Sequence, residues 1–173
     1  DIITRLKLFS NIIDLEKVDY FYIQGSAEWQ INLLKEFGIS EKKIIDCNEY
    51  RHIKANKIFA VEHPWYETGY FQYEIENIPE WIIYFLRKKF INLSKKIECS
   101  KKIFIDRSDS KFNHCKLINN EEIKNFLIKN GFQSLQISKL DFFEQVYIFK
   151  NAEVIISPHG AALSNIVFSN PNL

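Results

Sequence analysis

The sequence has little glycine, little cysteine and almost no net charge, and each shortage excludes a class of protein. Across 173 residues there are five glycines and three cysteines. Neither the phosphate loop G-x-x-x-x-G-K-[ST] nor the dinucleotide fingerprint G-x-G-x-x-G occurs, which argues against the common nucleoside triphosphatases and dehydrogenases. Cys47, Cys99 and Cys115 are odd in number and widely spaced. They fit neither a zinc site nor a disulfide framework, so free thiols in a reducing compartment are expected. His52, His63, His114 and His159 have no metal-ligand spacing, and no metal is expected. With 23 basic and 22 acidic residues the formal net charge is +1, which argues against a general nucleic-acid surface or a polybasic membrane patch. No apolar run approaches the roughly 20 residues of a membrane span, and no signal peptide is read. The chain starts at Asp1 without Met and stops at Pro171-Asn172-Leu173, so a fragment is expected.

What is present suffices for a core. Hydrophobic residues make up 46% and aromatics 15%, which sets the chain apart from disordered sequences. The length fits one ordinary domain or two small lobes. In the first half, Ile2, Leu6, Phe9 and Ile13 recur at helical spacing, with Arg5 on the same element as a solvated charge. Tyr20–Ile23 reads as a strand and Gln24-Gly25-Ser26 as a turn, with Ser26 placed to cap the helix of Trp29, Leu33, Leu34 and Phe37, which Gly38 ends. Ile44-Ile45 and Lys57–Val61 read as further strands, so strand, helix and strand suggest a right-handed parallel crossover. Residues 66–77 read as a loop. Pro79 then opens a longer helix through Trp81, Phe85 and Phe90, with Arg87, Lys88 and Lys89 as a solvated basic face.

The second half is more regular. Lys102–Arg107 is a strand ending on a charge. Asn119 or Asn120 caps a helix that Gly131 stops, and Phe132–Ile137 is the next strand. Asp141 with Glu144 forms a capping-box start for a helix through Phe149. Ala152–Ile156 is an apolar strand leading into Ser157-Pro158-His159-Gly160-Ala161-Ala162, where small residues open a short helix. The pattern is β-α-β-α-β-α, doubly wound. Arg107 and His159 both follow strand ends, so they could face one crevice on the carboxyl edge of the sheet. Arg is shaped for bidentate phosphate recognition, Gly160 admits a close ligand, and the opening N–H groups attract phosphate. The plainer alternatives are an Arg107 ion pair with Asp106, Asp109 or a helix end, a satisfied histidine in a tight turn, and Glu144 and Gln145 as cap residues only. Glu62-His63-Pro64-Trp65 follows the third expected strand and offers a general base, or simply a loop anchored by Trp65. Ser157 lies too close to His159 for a hydrolase triad, and no G-x-S-x-G elbow is present.

From Lys101 onward the chain resembles family 61 glycosyltransferases. The resemblance lies in Phe104-Ile105-Asp106-Arg107, Lys116-Leu117-Ile118-Asn119-Asn120-Glu121, Phe143-Glu144-Gln145-Val146 and His159-Gly160-Ala161-Ala162-Leu163-Ser164-Asn165, in that order. Arg5-Leu6 and Leu34–Ile39 extend it more loosely to the first half. Lys116 stands where the family has a second Arg, Ala162 where it has a second Gly, and Ser164 where it has Thr. The resemblance implies an α/β, GT-B-like arrangement of two Rossmann-type lobes with parallel sheets, lacking part of the C-terminal lobe. Residues 1–78 would form the acceptor-side lobe, 79–100 a connecting helix, and 101–173 the nucleotide-sugar lobe.

The activity it implies is inverting transfer of a sugar from a nucleotide donor to a glycan or protein hydroxyl, in polysaccharide biosynthesis. The donor would be UDP-linked, and no metal or other cofactor would be required. Arg107, Lys116, His159, Gly160, Ala161 and Asn165 would bind the donor diphosphate, supported by Asn119, Glu144 and Gln145. Glu62 and His63 are the base candidates. No nucleic-acid partner is expected. A cytoplasmic location is expected, with membrane association through missing segments or a lumenal location left open. The alternatives are a non-catalytic nucleotide- or glycan-binding protein of the same fold and a nucleotide or phosphate hydrolase.

Overall fold

The computed structural model describes residues 2–24, 27–63, 76–110, 115 and 117–171. The chain divides into two compact units, Asp1–Pro79 and Glu80–Leu173. Both are α/β with small parallel sheets.

In the first unit, helix α1 (Ile2–Ser10) precedes strand β1 (Phe21–Ile23), helix α2 (Glu28–Lys35) and strand β2 (Ile44–Asp46). β1 and β2 pair in parallel, Phe21 against Ile44 and Ile23 against Asp46. The helical spacing of Leu6 and Leu34 buries them with Phe21 and Ile39 in one apolar cluster, and Leu33 is buried as well. α2 ends as its glycine predicts. Gly38 adopts φ 74°, and the Ile39 N–H then bonds back to the Leu34 carbonyl at 3.2 Å, closing the orphan end of the helix.

Three expectations for this unit change. Lys57–Val61 is not a strand: it has no ladder partner among the described residues, and Ile58 and Phe59 are 71% and 51% exposed. An apolar run without a neighbouring strand edge leaves its N–H and C=O groups to water. Arg5 is not a solvated charge. Its Nε donates to the Val61 carbonyl at 2.8 Å, and Nη2 donates to the same oxygen. α2 starts from Ala27, whose N–H donates to the Gln30 side chain at 3.3 Å. Ser26, Pro64 and Trp65 lie outside the described residues.

The second unit opens with α3 (Glu80–Phe90) and continues through β3 (Lys102–Ile105), α4 (Asn120–Lys129), β4 (Gln133–Leu135), α5 (Phe142–Asn151) and β5 (Val154–Ile156) to a 3-10 run over Ala161–Phe168. The strands are parallel in the order β4-β3-β5. β3 is the core: Ile103, Phe104 and Ile105 are all buried, as a strand with a neighbour on each edge requires. Gly131 repeats the Gly38 solution, with φ 83° and the Phe132 N–H bonded to the Leu127 carbonyl at 3.0 Å. α5 starts on the expected capping box. The Glu144 N–H donates to Asp141 Oδ1 at 2.8 Å, and the Asp141 N–H donates to Glu144 Oε2 at 3.0 Å.

The 3-10 run is held by α3 and α5. Phe168 meets Phe90 and Phe142 edge-on, with ring centroids 6.4 and 5.8 Å apart, and Phe90 is fully buried. Arg87 departs from the solvated basic face expected on α3. Its Nη1 donates to the carbonyls of Val167 at 2.7 Å and Ser169 at 2.6 Å, satisfying acceptors at the end of the run. Asn119 occupies the cap position of α4 but makes no side-chain cap bond; its amide donates to Glu122 at 3.2 Å instead.

Candidate active site

The order β4-β3-β5 makes the edge between β3 and β5 special. The chain leaves β3 for β4 on one side, then returns past β3 to form β5 on the other. At such a reversal the two carboxyl-end loops diverge and leave a crevice, where open α/β sheets take ligands. The residues after β3 are Asp106 and Arg107. Those after β5 are Ser157, Pro158, His159 and Gly160.

The structure brings these two strand ends together. Arg107 Nη1 donates to the His159 carbonyl. Gly160 lies flush against the guanidinium: a Cβ there would fall 2.6 Å from Arg107 Cζ and 2.9 Å from Nε. Gly160 has φ 169°, an extended conformation open to any residue, so what this position demands is room and not flexibility. Nη2 also reaches Ser110 Oγ at 3.4 Å. A guanidinium has five N–H donors; two are engaged among the described residues. Arg107 is half-buried, so solvent screens its charge only in part.

The His159 side chain is exposed. Its Nδ1 lies 3.9 Å from the Sγ of Cys115, a residue held at φ 57° in the left-handed region. The loop between β3 and α4 thus returns to the end of β5. The thiols keep separate surroundings: Cys47 and Cys99 are half-buried and Cys115 is exposed, with burial pushing the Cys99 thiol up.

Arg107 does not pair with its neighbouring acids. Asp106, 2% exposed, accepts from the Ser108 N–H at 2.9 Å, from Lys124 Nζ at 3.1 Å and from the Asn120 amide at 3.4 Å. Burial works against its charge, but the Ser108 and Lys124 donors outweigh that and hold its carboxyl below the usual aspartate value. Asp109 accepts from the Ser138 hydroxyl. The pairing of Asp106 with Lys124, across the β3–α4 connection, is the feature that sequence reading missed; a carboxylate just after a buried strand was its one signal.

The other expected site residues divide. Ala161 begins the 3-10 run directly after Gly160, and Asn165 lies one turn further, its amide donating to Gln145 Oε1 at 2.8 Å. Gln145 in turn donates to the carbonyls of Ile137 and Leu140 at 3.2 and 3.0 Å, so it braces the run from α5. Glu144 is a cap residue that also pairs with Lys95 at 3.0 Å. Lys116 lies outside the described residues. Glu62 and His63 sit in the first unit, next to the carbonyl that Arg5 holds; Glu62 is exposed and His63 half-buried.

Among the described residues no group of three or more His, Cys, Asp or Glu is placed to hold a metal ion, and no helix is long and apolar enough to cross a membrane. A groove of about 830 Å³ is lined by Glu98, Cys99, Lys124, Ile128, Gly131 and Phe132, beside the starts of β3 and β4. No curated protein and no solved structure is detectably similar to the chain. One family model matches throughout, Glycosyltransferase 61, over residues 1–173. A parallel sheet whose reversal point gathers an arginine, a histidine and a glycine therefore belongs to a member of glycosyltransferase family 61.

Proposed function

We propose that the carboxyl edge of β3 and β5 binds the diphosphate of a nucleotide-sugar donor, and that the chain transfers the sugar with inversion to a hydroxyl of a glycan or protein. The observation that carries this reading is Arg107 reaching across the sheet reversal to the His159-Gly160 backbone. Glycosyl transfer leaves a nucleoside diphosphate whose charge must be stabilised as the bond breaks. A guanidinium at the end of β3, a histidine at the end of β5, and the opening N–H groups of the Ala161–Phe168 run meet that need with protein groups alone. In this reading the two units are the lobes of a GT-B enzyme and the donor is a UDP-sugar. The product is a surface polysaccharide or a related glycan. Lys116 adds a second cation from the β3–α4 loop.

Inversion needs a base on the acceptor hydroxyl. Glu62 and His63 are the proposed bases. Arg5 fixes the backbone beside them through the Val61 carbonyl, so an Arg5 variant would displace this segment.

The test is UDP binding by calorimetry together with transfer of radiolabelled sugar from a panel of UDP-, GDP- and CMP-sugars. Wild type should bind UDP. Arg107→Ala should weaken binding at least about 10-fold, the scale of a lost charge-assisted contact. Gly160→Ala should weaken it too, because its methyl group would push the guanidinium aside. Equal UDP affinity in wild type and Arg107→Ala would sink the reading. Binding without transfer from any donor would favour a non-catalytic member of the fold.

A further inference from the structure

Among the described residues, the start of the loop after β3 is bonded mainly toward β4. Asp106 continues the ladder with its N–H on the Leu135 carbonyl at 2.9 Å. Ser108 Oγ accepts from the Gln136 amide at 2.8 Å, and Asp109 accepts from Ser138. These bonds all run toward the β4 end. Arg107 reaches the other way, to the His159 carbonyl at the end of β5, where Cys115 Sγ also lies 3.9 Å from His159 Nδ1.

At the root of the loop sits the Asp106 carboxylate. Oδ1 takes the Ser108 N–H two residues on and the Asn120 amide from the first turn of α4, while Oδ2 takes Lys124 Nζ from the second. One buried group therefore sets the bend of the backbone on both sides of Arg107 and pins it to α4. An uncharged apolar side chain could fill the same space, but it would leave the Ser108 N–H without its acceptor and the bend without its anchor.

We infer that Asp106 and Lys124 are positioning residues for the anion site. Their buried pair fixes the turn that delivers the Arg107 guanidinium across β3 to the His159-Gly160 backbone. The inference rests on the reading of Arg107 as a diphosphate ligand.

Lys124→Met makes the distinctive variant. It removes the cation and leaves a buried carboxylate facing the Ser108 N–H and the Asn120 amide, with Arg107 next to it in the chain and Glu121, which acts on Lys124, in the first turn of α4. Without the cation, desolvation favours the protonated acid, so protonation of Asp106 moves up in pH. UDP affinity of Lys124→Met should then fall between pH 8 and pH 5 more steeply than that of wild type. Any pH dependence that the two proteins share cancels in the difference.

The experiment measures UDP affinity by calorimetry from pH 5 to pH 8, and thermal melting, for wild type, Arg107→Ala, Asp106→Asn, Lys124→Met and Lys124→Arg. Asp106→Asn and Lys124→Met should fold and bind UDP about 10-fold more weakly at pH 7, the size of effect that moving one charged ligand produces. Lys124→Arg should restore most of the affinity. The steeper acid dependence should appear only in Lys124→Met. Folded Asp106→Asn and Lys124→Met proteins with wild-type UDP affinity at every pH, beside a defective Arg107→Ala, would overturn the inference while leaving the diphosphate reading intact. Wild-type affinity in Arg107→Ala would overturn the diphosphate reading first. If neither Asp106→Asn nor Lys124→Met folds, the pair is a determinant of the fold and the positioning role is refuted.

Discussion

Single charges in this protein matter through the groups they face. Asp141 shows this in a form that pH can test. Desolvation acts against its charge, but the Lys95 ammonium at 2.8 Å and the N–H groups of Glu144 and Phe143 outweigh it and hold the carboxyl below 3.8. Lys95 is raised above its usual value by the same pair. A carboxyl depressed in the folded state stabilises the fold above its unfolded value, and that contribution disappears as pH falls through the folded value. Melting temperature should therefore drop as pH is lowered below about 4. Asp141→Asn keeps a side-chain acceptor for the cap but loses the charge, so it should melt somewhat below wild type at pH 7, approach it in acid, and thus show a shallower acid limb when melting is followed by circular dichroism. The same dependence on partners explains what the residues alone did not disclose. Arg5 and Arg87 occupy helices, where a charge facing water and a charge donating to a carbonyl far along the chain have the same sequence signature. Only the fold shows that both are tied to carbonyls.

At the scale of elements, local chemistry was legible wherever the signal was contained in one turn. The Asp141–Glu144 cap, Gly38 and Gly131 all act within a few residues of themselves, and each does what its spacing implies. Gly131 offers the cleaner measurement. A Cβ at that position meets nothing within 4 Å, so replacing it tests backbone conformation alone. Gly131→Ala should lower stability by about 1 kcal/mol, the cost of placing a side chain at positive φ, and a urea melt should show a shifted midpoint with an unchanged slope. Strands were less legible. Lys57–Val61 has the apolar content of a strand, but a strand exists only where another edge accepts its hydrogen bonds, and composition says nothing about edges.

For the whole molecule, the alternation of elements announced the parallel sheet of the second unit, and the residues after two of its strands marked the candidate site. The order β4-β3-β5 is a property of pairing, and no single segment encodes it. It puts β3, the first strand of that unit in the sequence, in the middle. Ile103, Phe104 and Ile105 are consequently shielded on both edges, so their amides should be among the slowest in the second unit to exchange hydrogen, well behind those of β5, whose Val154 and Ile156 are about two-fifths exposed. Peptide-resolved exchange mass spectrometry reads this directly, and faster exchange in 103–105 than in 154–156 would contradict the strand order. The central placement of β3 also bears on synthesis. A nascent chain leaving the ribosome exposes the most deeply buried strand of the unit before either neighbour has been translated. For that interval β3 is an unpaired sticky edge, and the cell must shelter it until residues 133–135 and 154–156 emerge.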